Sequence, residues 1–379
     1  MSSDLVVFGE DWGGHPSSTQ HLVSRLLAHH RVLWVNSLGL RRPRLSAHDL
    51  ARVARKVRAM LGQGAPPSVP GQGRALPDGL QVLSPRVASW PGNPLVEWLN
   101  HASLARQLGA ALPAAGISRP ILWASLPSAV AALGTAGERA VVYYCGDDFG
   151  ALSGVDHAPV LEMERRLVAR ADLVIAASPT LAARFPSAKT HLVPHGVDYE
   201  LFATPVARPA DLPDGPVAGF YGSISDWLDM GMIVRAAQAL PGWRFVFVGT
   251  VHTDVSALAR LPNVDFLGPR PHRDLAGYVQ NWTVSLIPFR DTPQIRACNP
   301  LKLREYLASG TPIAATRFPA LEPYANHVSA IDPGDDLAPV ILAAAACATP
   351  QAAAARRAAV VAESWDVRAL EVDRLLCGL

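Results

Sequence analysis

The sequence predicts an α/β protein built from two doubly wound domains, each a parallel sheet covered by helices on both faces. Three observations predict it. Short apolar runs alternate with helical stretches along the whole chain, and the alternation restarts after a proline-rich stretch near the middle. The length of 379 residues exceeds what one core of roughly 150 residues accommodates. Continuous apolar strands between helices are buried on both faces, which is the signature of parallel sheets with right-handed crossovers.

In chain order, LVVF (5–8) is a strand closed by Gly9, and TQHLVSRLLAHH (19–30) is a helix with Leu22, Leu26 and Leu27 on one face. RVLWV (31–35), ILWAS (121–125), AVVYYC (140–145), DLVIAAS (172–178) and HLVP (191–194) continue the strands of the first domain. The stretch 194–216 holds five prolines and interrupts the periodicity, so it marks the seam. VAGFYG (217–222), RFVFVG (244–249), VDFLG (264–268), VSLIPF (284–289) and PIAAT (312–316) then form a second set. The organisation expected is a first domain over 1–200, a second over 201–350, and C-terminal helices over 351–379. Ser364 is an N-cap candidate before Trp365, and APVILAAAACA (338–348) reads as a buried helix. GQGAPPSVPGQGRALPDG (62–79) is a Pro/Gly loop.

Composition excludes several function classes. Hydrophobic residues at 49% and charged residues at 17% exclude a disordered chain. A net charge of +2 predicts no global attraction to nucleic acid. The N-terminus lacks a basic region followed by an apolar one, and no uncharged apolar run reaches about 18 residues. A cytoplasmic protein is expected, with membrane contact at most peripheral, at the inner face. Cys145, Cys298, Cys347 and Cys377 are scattered and form no CxxC pair, which suits reduced thiols and no zinc site.

Ligands of doubly wound sheets bind beyond the carboxyl ends of the strands, so the loops there carry the candidates. In GEDWGGHPSST (9–19), Gly13, Gly14 and His15 sit before a helix start, where free N–H groups favour anions. The same glycines also suit a plain strand-to-helix turn, and the dinucleotide GxGxxG spacing is missing, which speaks against an oxidoreductase. In YYCGDDFG (143–150), Asp147 and Asp148 follow a strand. One of them can serve as a general base on a hydroxyl, or both can solvate and cap the loop. In RACNPLKLREYLASGTPIAAT (296–316), Asn299 is the expected N-cap and Pro300 the first helical residue. Lys302 then lies in the first turn, where a cation opposes the helix dipole, and this points to an anion beside it. Lys302 and Glu305 share a helix face. They fit either a phosphate and ribose hydroxyls or an i,i+3 salt bridge.

The segment NPLKLREYLASGTPIAAT (299–316) resembles the donor-binding helix of GT-B nucleotide-sugar glycosyltransferases of the family-4 kind. PHGVDYELF (194–202) resembles their linker motif, and ADLVIAASPTLAARF (171–185), GFYGSISDWLDMGMI (219–233) and NVDFLG (263–268) match in order. The resemblance implies two facing Rossmann-like domains with an interdomain cleft, the donor held mainly by the second, and C-terminal helices crossing back to the first. It implies donor contacts from Asn299, Pro300, Leu301, Lys302 and Glu305, and from Gly222, Ser223, Gly268 and Phe289 in the strand-end loops. Retaining enzymes of this type carry two glutamates about two turns apart. Glu305 matches the second and Ala297 occupies the place of the first, while SISDWLDMG after Gly222 lacks their Arg/Lys pair. The chain is also similar, in order of motifs, to the inverting glucuronosyltransferase of xanthan assembly. That likeness implies Asp147 as base, Lys302 on the diphosphate, Glu305 on the ribose side and Phe289 lining the nucleotide.

The expected activity is transfer from a nucleotide-sugar donor, UDP-linked by preference, to a glycan or lipid-linked acceptor, with no cofactor and no metal. A nucleotide-sugar epimerase or hydrolase, or a non-catalytic nucleotide-sugar-binding protein, is the alternative. The segment RRPRLSAHDLARVARKVR (41–58) carries seven cations against one acid. It fits either an anionic membrane surface or a domain helix with a solvated basic face.

Overall fold

The computed structural model describes residues 4–14, 16–40, 76–152 and 155–379. The basic segment 41–58, most of the Pro/Gly loop and His15 lie outside the described residues. The chain divides into two compact units, Met1–Pro194 with Arg368–Leu379, and His195–Val367.

The first unit holds a seven-stranded parallel sheet in the order β3-β2-β1-β4-β5-β6-β7. Its strands are β1 (Leu5–Phe8), β2 (Val32–Val35), β3 (Leu80–Leu83), β4 (Ile121–Ala124), β5 (Ala140–Cys145), β6 (Leu173–Ala176) and β7 (Thr190–Leu192). Every side chain of β1, β2, β4, β5 and β6 is buried. Helices α1 (Ser18–Leu26), α2 (Pro94–Ala114), α3 (His157–Arg170) and α4 (Pro179–Ala182) lie between them. Ser17 caps α1 by accepting from the Gln20 N–H. Asn93 caps α2 by accepting from Leu95 and Val96, and Pro94 takes the first helical position.

The second unit holds a six-stranded parallel sheet in the order β10-β9-β8-β11-β12-β13. The strands are β8 (Val217–Tyr221), β9 (Arg244–Val248), β10 (Val264–Phe266), β11 (Val284–Ile287), β12 (Ile313–Thr316) and β13 (Ser329–Ile331). Its helices are α5 (Tyr199–Ala203), α6 (Met230–Ala239), α7 (Ser256–Ala259), α8 (Leu275–Asn281), α9 (Pro293–Ala297), α10 (Leu301–Ser309), α11 (Leu337–Ala346) and α12 (Pro350–Ala358). The last helix, α13 (Trp365–Cys377), begins in this unit and ends in the first. The core packs Phe220, Phe245, Phe247, Ile233, Leu286 and Leu307 around the central strands.

Three expectations need correction. The first unit ends at Pro194, the first residue of the linker motif and of the proline-rich seam, and not at 200, because Gly196 and Val197 pack with Trp365 and Ser364 of the second unit. Of the tail 351–379, only Arg368–Leu379 returns to the first unit, where Asp373 meets the buried His30 ring at 2.7 Å. The residues before it stay with the second unit, since Arg356 and Arg357 donate to the carbonyls of Gly310 and Ser309. Finally, β3 and β13 escape a reading by apolar runs. Both are edge strands, and their mixed sequences LQVL and SAI are only partly buried. No single helix among the described residues is long and apolar enough to cross a membrane. APVILAAAACA lies in and just beyond α11, with Ala338, Ile341 and Ala344 buried.

Candidate active site

In the second unit the strand order reverses between β8 and β11, and the loops after these two strands converge on Lys302. Gly222 follows β8 and donates to Val248 O, with φ at +123°. Its neighbour Gly249, after β9, has φ at +154°, and a Cβ there would lie 2.0 Å from Gly222 O. Only glycine allows two strand-end loops to meet this closely. A Cβ on Gly222 would stand 3.0 Å from Lys302 Nζ. The ammonium thus rests on bare backbone at the switch point, the place where doubly wound sheets take ligands. It lies 4.5 Å from the Phe220 ring centre and 5.4 Å from that of Phe289. It has no hydrogen bond or ion pair among the described residues. Desolvation lowers its pKa to about 8 against the opposing pull of Glu305 and Cys298.

Helix α10 opens one residue later than expected, so Lys302 is its second residue and not its third. Pro300 is the N-cap and the helix opens at Leu301, which is half-buried. Asn299 does not cap. Its side chain is buried and accepts from Arg304 Nη1 at 2.5 Å, and Arg304 in turn binds Glu363 at 2.6 Å. Tyr324 donates to the same carboxylate. With no side-chain cap, the first N–H groups of α10 remain for an external acceptor. The other end is closed by Gly310 in the left-handed region at φ +79° and by the two arginines of α12.

Glu305 also departs from expectation. Its side chain is buried, and its oxygens are engaged by His272 Nε2 at 2.7 Å and by the Tyr221 hydroxyl. It forms no ion pair with Lys302 among the described residues; its two partners hold it beneath the helix, from where its charge still acts on the ammonium. Burial alone would lower the His272 pKa, but the hydrogen bond and charge of Glu305, with Asp198, raise it. Phe289 is buried against Phe318 and forms the floor under Lys302. Ser223 is exposed just past Gly222, and Gly268, at φ +72°, turns the chain after β10 toward His272.

In the first unit the loops after β1 and β5 hold the acids. Gly13 has φ +79° and donates to Gln20 Oε1 at 3.4 Å, while Gly14 donates to Asp11 O. Gly9 lets the chain cross the Trp34 ring, which a Cβ would meet at 2.5 Å. The two aspartates part company. Asp148 pairs with Arg184 at 2.7 Å and accepts from the Gly150 N–H, which is the loop-capping role. Asp147 is exposed, with no side-chain partner among the described residues. Desolvation pushes its carboxyl up to about 6, with added repulsion from Glu10 and Asp148; its exposure means that solvent screens part of this. Arg184 also binds the buried Glu164 at 2.6 Å, and Glu164 accepts from Tyr143. The Cys145 thiol, whose pKa burial raises, donates to Asp147 O. These contacts fix the loop that carries Asp147.

Sequence reading missed Glu10, Tyr221, His272 and Arg304. Glu10 Oε2 is buried without a hydrogen-bond partner among the described residues. Its position, two residues past the end of the first strand, is the signal that was available. His272 and Arg304 matter through partners distant in sequence, which no local spacing reveals.

Two parallel-sheet units of this topology, with a cation at the second one's switch point, define a class: the chain has the GT-B fold. Residues 215–347 match the family model described as Glycosyl transferases group 1. Over 202 residues the chain is 34% identical to a Bacillus subtilis (strain 168) protein named "Putative teichuronic acid biosynthesis glycosyltransferase TuaH", covering 48% of this chain and 51% of that one. The match thus spans about half the length of that relative. Among solved structures, Anabaena HepE in complex with UDP-glucose superposes with a TM-score of 0.67 at 15% identity over 100% of both chains. Sucrose-phosphate synthase from Thermosynechococcus elongatus superposes with a TM-score of 0.70 at 18% identity, over 99% of this chain and 98% of that one. At these identities the structural likeness is one of fold.

Proposed function

We propose that this protein is a glycosyltransferase that moves a sugar from a nucleotide-diphosphate donor to a hydroxyl group of a glycan or lipid-linked glycan, in bacterial-type polysaccharide assembly. The observation that carries the reading is the Lys302 ammonium, seated on Gly222 at the switch point with no ion pair among the described residues. A half-buried cation in no ion pair among the described residues, beside an uncapped helix start, is suited to a diphosphate.

In the mechanism proposed, the Asp147 carboxylate accepts the proton of the acceptor hydroxyl as its oxygen bonds to the anomeric carbon. The bond from that carbon to the diphosphate breaks, and the electron pair leaves with the phosphate oxygen. Lys302 and the first N–H groups of α10 stabilise the charge that develops there. That positive charge comes from the protein, so we propose that the transfer needs no divalent metal. UDP is the favoured donor nucleotide. HepE was crystallised with UDP-glucose, and the name of the Bacillus relative places it in teichuronic acid biosynthesis; both support the reading.

The test is a melting panel with UDP, GDP and ADP, followed by turnover of the matching nucleotide sugars with and without acceptor glycans. UDP should raise the melting temperature, and nucleotide release should depend on acceptor. Indifference to all three diphosphates would remove the donor site, and acceptor-independent turnover would instead indicate an epimerase or hydrolase.

A further inference from the structure

The end of α10 opposite Lys302 is closed by two arginines that carry more donors than the fold uses. Arg356 and Arg357 occupy the last turn of α12. Arg356 Nε donates to Gly310 O at 2.9 Å, and Arg357 Nη2 donates to Ser309 O at 2.9 Å. A guanidinium presents five N–H donors, so one carbonyl does not satisfy it. Arg356 is 4% exposed, yet its Nη2 is buried with no hydrogen-bond partner among the described residues. Arg357 Nε is buried in the same condition. Buried donors in native proteins are nearly always paired, and those of a cation are the costliest to leave unmade.

No carboxylate balances the pair. Helix α12 (PQAAAARRA) contains no acid, and it packs against α10 and the turns Pro319–His327 and Val361–Glu363. The acids on those elements are engaged elsewhere or lie at the surface. Glu305 binds His272 and Tyr221, Glu363 binds Arg304 and Tyr324, and Glu322 is exposed. Neither arginine forms an ion pair among the described residues. Burial lowers the Arg356 pKa; the Cys347 thiol opposes the drop and the Arg357 charge adds to it. The carbonyl ends of α10 and α12 supply about half a unit of negative charge each. Against two guanidiniums, that leaves about one positive charge unbalanced.

The chemistry of the pair selects the occupant. Two adjacent planar forks of N–H donors match a tetrahedral oxyanion, whose oxygens accept several bonds at once. Arg357 is half-buried, which gives the pair a way to solvent. The residues one turn before it, Ala353 and Ala354, are too short to cover it.

We propose that Arg356 and Arg357 form a binding site for a phosphate anion, free or as the phosphoryl group of a small metabolite, at the C-terminal end of α10. Lys302 stands seven residues before Ser309, so roughly 10 Å of helix separates this site from the ammonium. The proposal goes beyond the transferase reading and does not depend on it, because anion binding is measured with neither nucleotide nor acceptor.

The test is titration calorimetry of the full chain with inorganic phosphate and with glucose 6-phosphate, against sodium chloride of equal ionic strength. It is run on the wild type and on Lys302→Met, which removes the other cation on which an anion can sit. Phosphate should bind to both. In the Lys302→Met background, Arg357→Gln should weaken that binding by about tenfold or more. Arg357→Lys keeps the charge and loses the fork, so its affinity should fall between the two. If the glutamine variant folds poorly, the lysine variant decides: weaker binding supports the site and equal binding overturns it. Tighter binding of glucose 6-phosphate supports the site with a metabolite's phosphoryl group as its ligand. Equal or tighter binding of phosphate supports it with the free anion. Absence of binding beyond that of chloride overturns the proposal. So does binding that Lys302→Met abolishes, or an affinity unchanged in both Arg357 variants.

Discussion

Replacing Lys302 with methionine should stabilise the protein and weaken it as a nucleotide binder. Desolvation takes the ammonium from 10.5 to about 8, which corresponds to about 3 kcal/mol against the charged form. Two terms reduce that figure. The side chain retains partial water contact, and the ring faces of Phe220 and Phe289 return ~0.5–2 kcal/mol of cation–π attraction. Methionine keeps the apolar contacts with both rings, so a net gain of roughly 1–2 kcal/mol remains, or about 2–8 °C for a unit of this size. The sign with pH comes from linkage. Between about 8 and 10.5 the unfolded chain holds a proton on Lys302 that the folded chain has lost, so wild-type stability rises across that window and the variant's advantage shrinks. In the nucleotide-bound state the balance reverses. A charge-assisted contact to diphosphate contributes ~1.5–3 kcal/mol, so UDP affinity should fall about ten- to a hundredfold. Scanning fluorimetry across pH and titration calorimetry with UDP read both effects. A variant that melts lower than wild type and binds UDP equally well would refute the reasoning at both ends.

Three further outcomes are expected. Asp147→Asn should lower transfer by a factor of ~10²–10⁴ while UDP affinity stays at the wild-type value, and normal turnover by this variant would disqualify the base. Glu10→Gln removes a carboxylate that raises Asp147, so the acid limb of kcat/KM should move to lower pH; an unmoved limb assigns it to another group. Gly249→Ala places a Cβ 2.0 Å from Gly222 O at a φ that L residues avoid. Its melting temperature should drop and UDP binding should be lost, and a variant with normal values for both would show that the two loops need not touch.

The strands of both sheet centres were legible in the sequence because they are buried on both faces. LVVF, AVVYYC and the FVFV of β9 have no solvent-facing position to break the apolar run. Edge strands β3 and β13 were not, because half their surface meets water and their composition reflects it. Lys302 was legible for a local reason: a cation in the first turn of a helix is anomalous without tertiary structure. Local chemistry did not separate Asp147 from Asp148, which only the resemblance ranked, until Arg184, thirty-six residues beyond Asp148, occupied one of them.

The sequence determined by itself the alternation of elements, the two-sheet organisation, and the loops in which polar groups would gather at strand ends. Those come from periodicity and from residues a few positions apart. Only the tertiary structure decided which of those polar groups stand unpaired. Glu305 and Asn299 look like ligand contacts in the linear order, yet His272, Tyr221 and Arg304 engage them. Lys302 looks like half of a salt bridge, yet lies on two aromatic faces and a bare glycine. The physical reason is the same in each case: a polar group's partner is chosen by proximity in the folded chain, and the desolvation that makes pairing obligatory exists only once the core has formed.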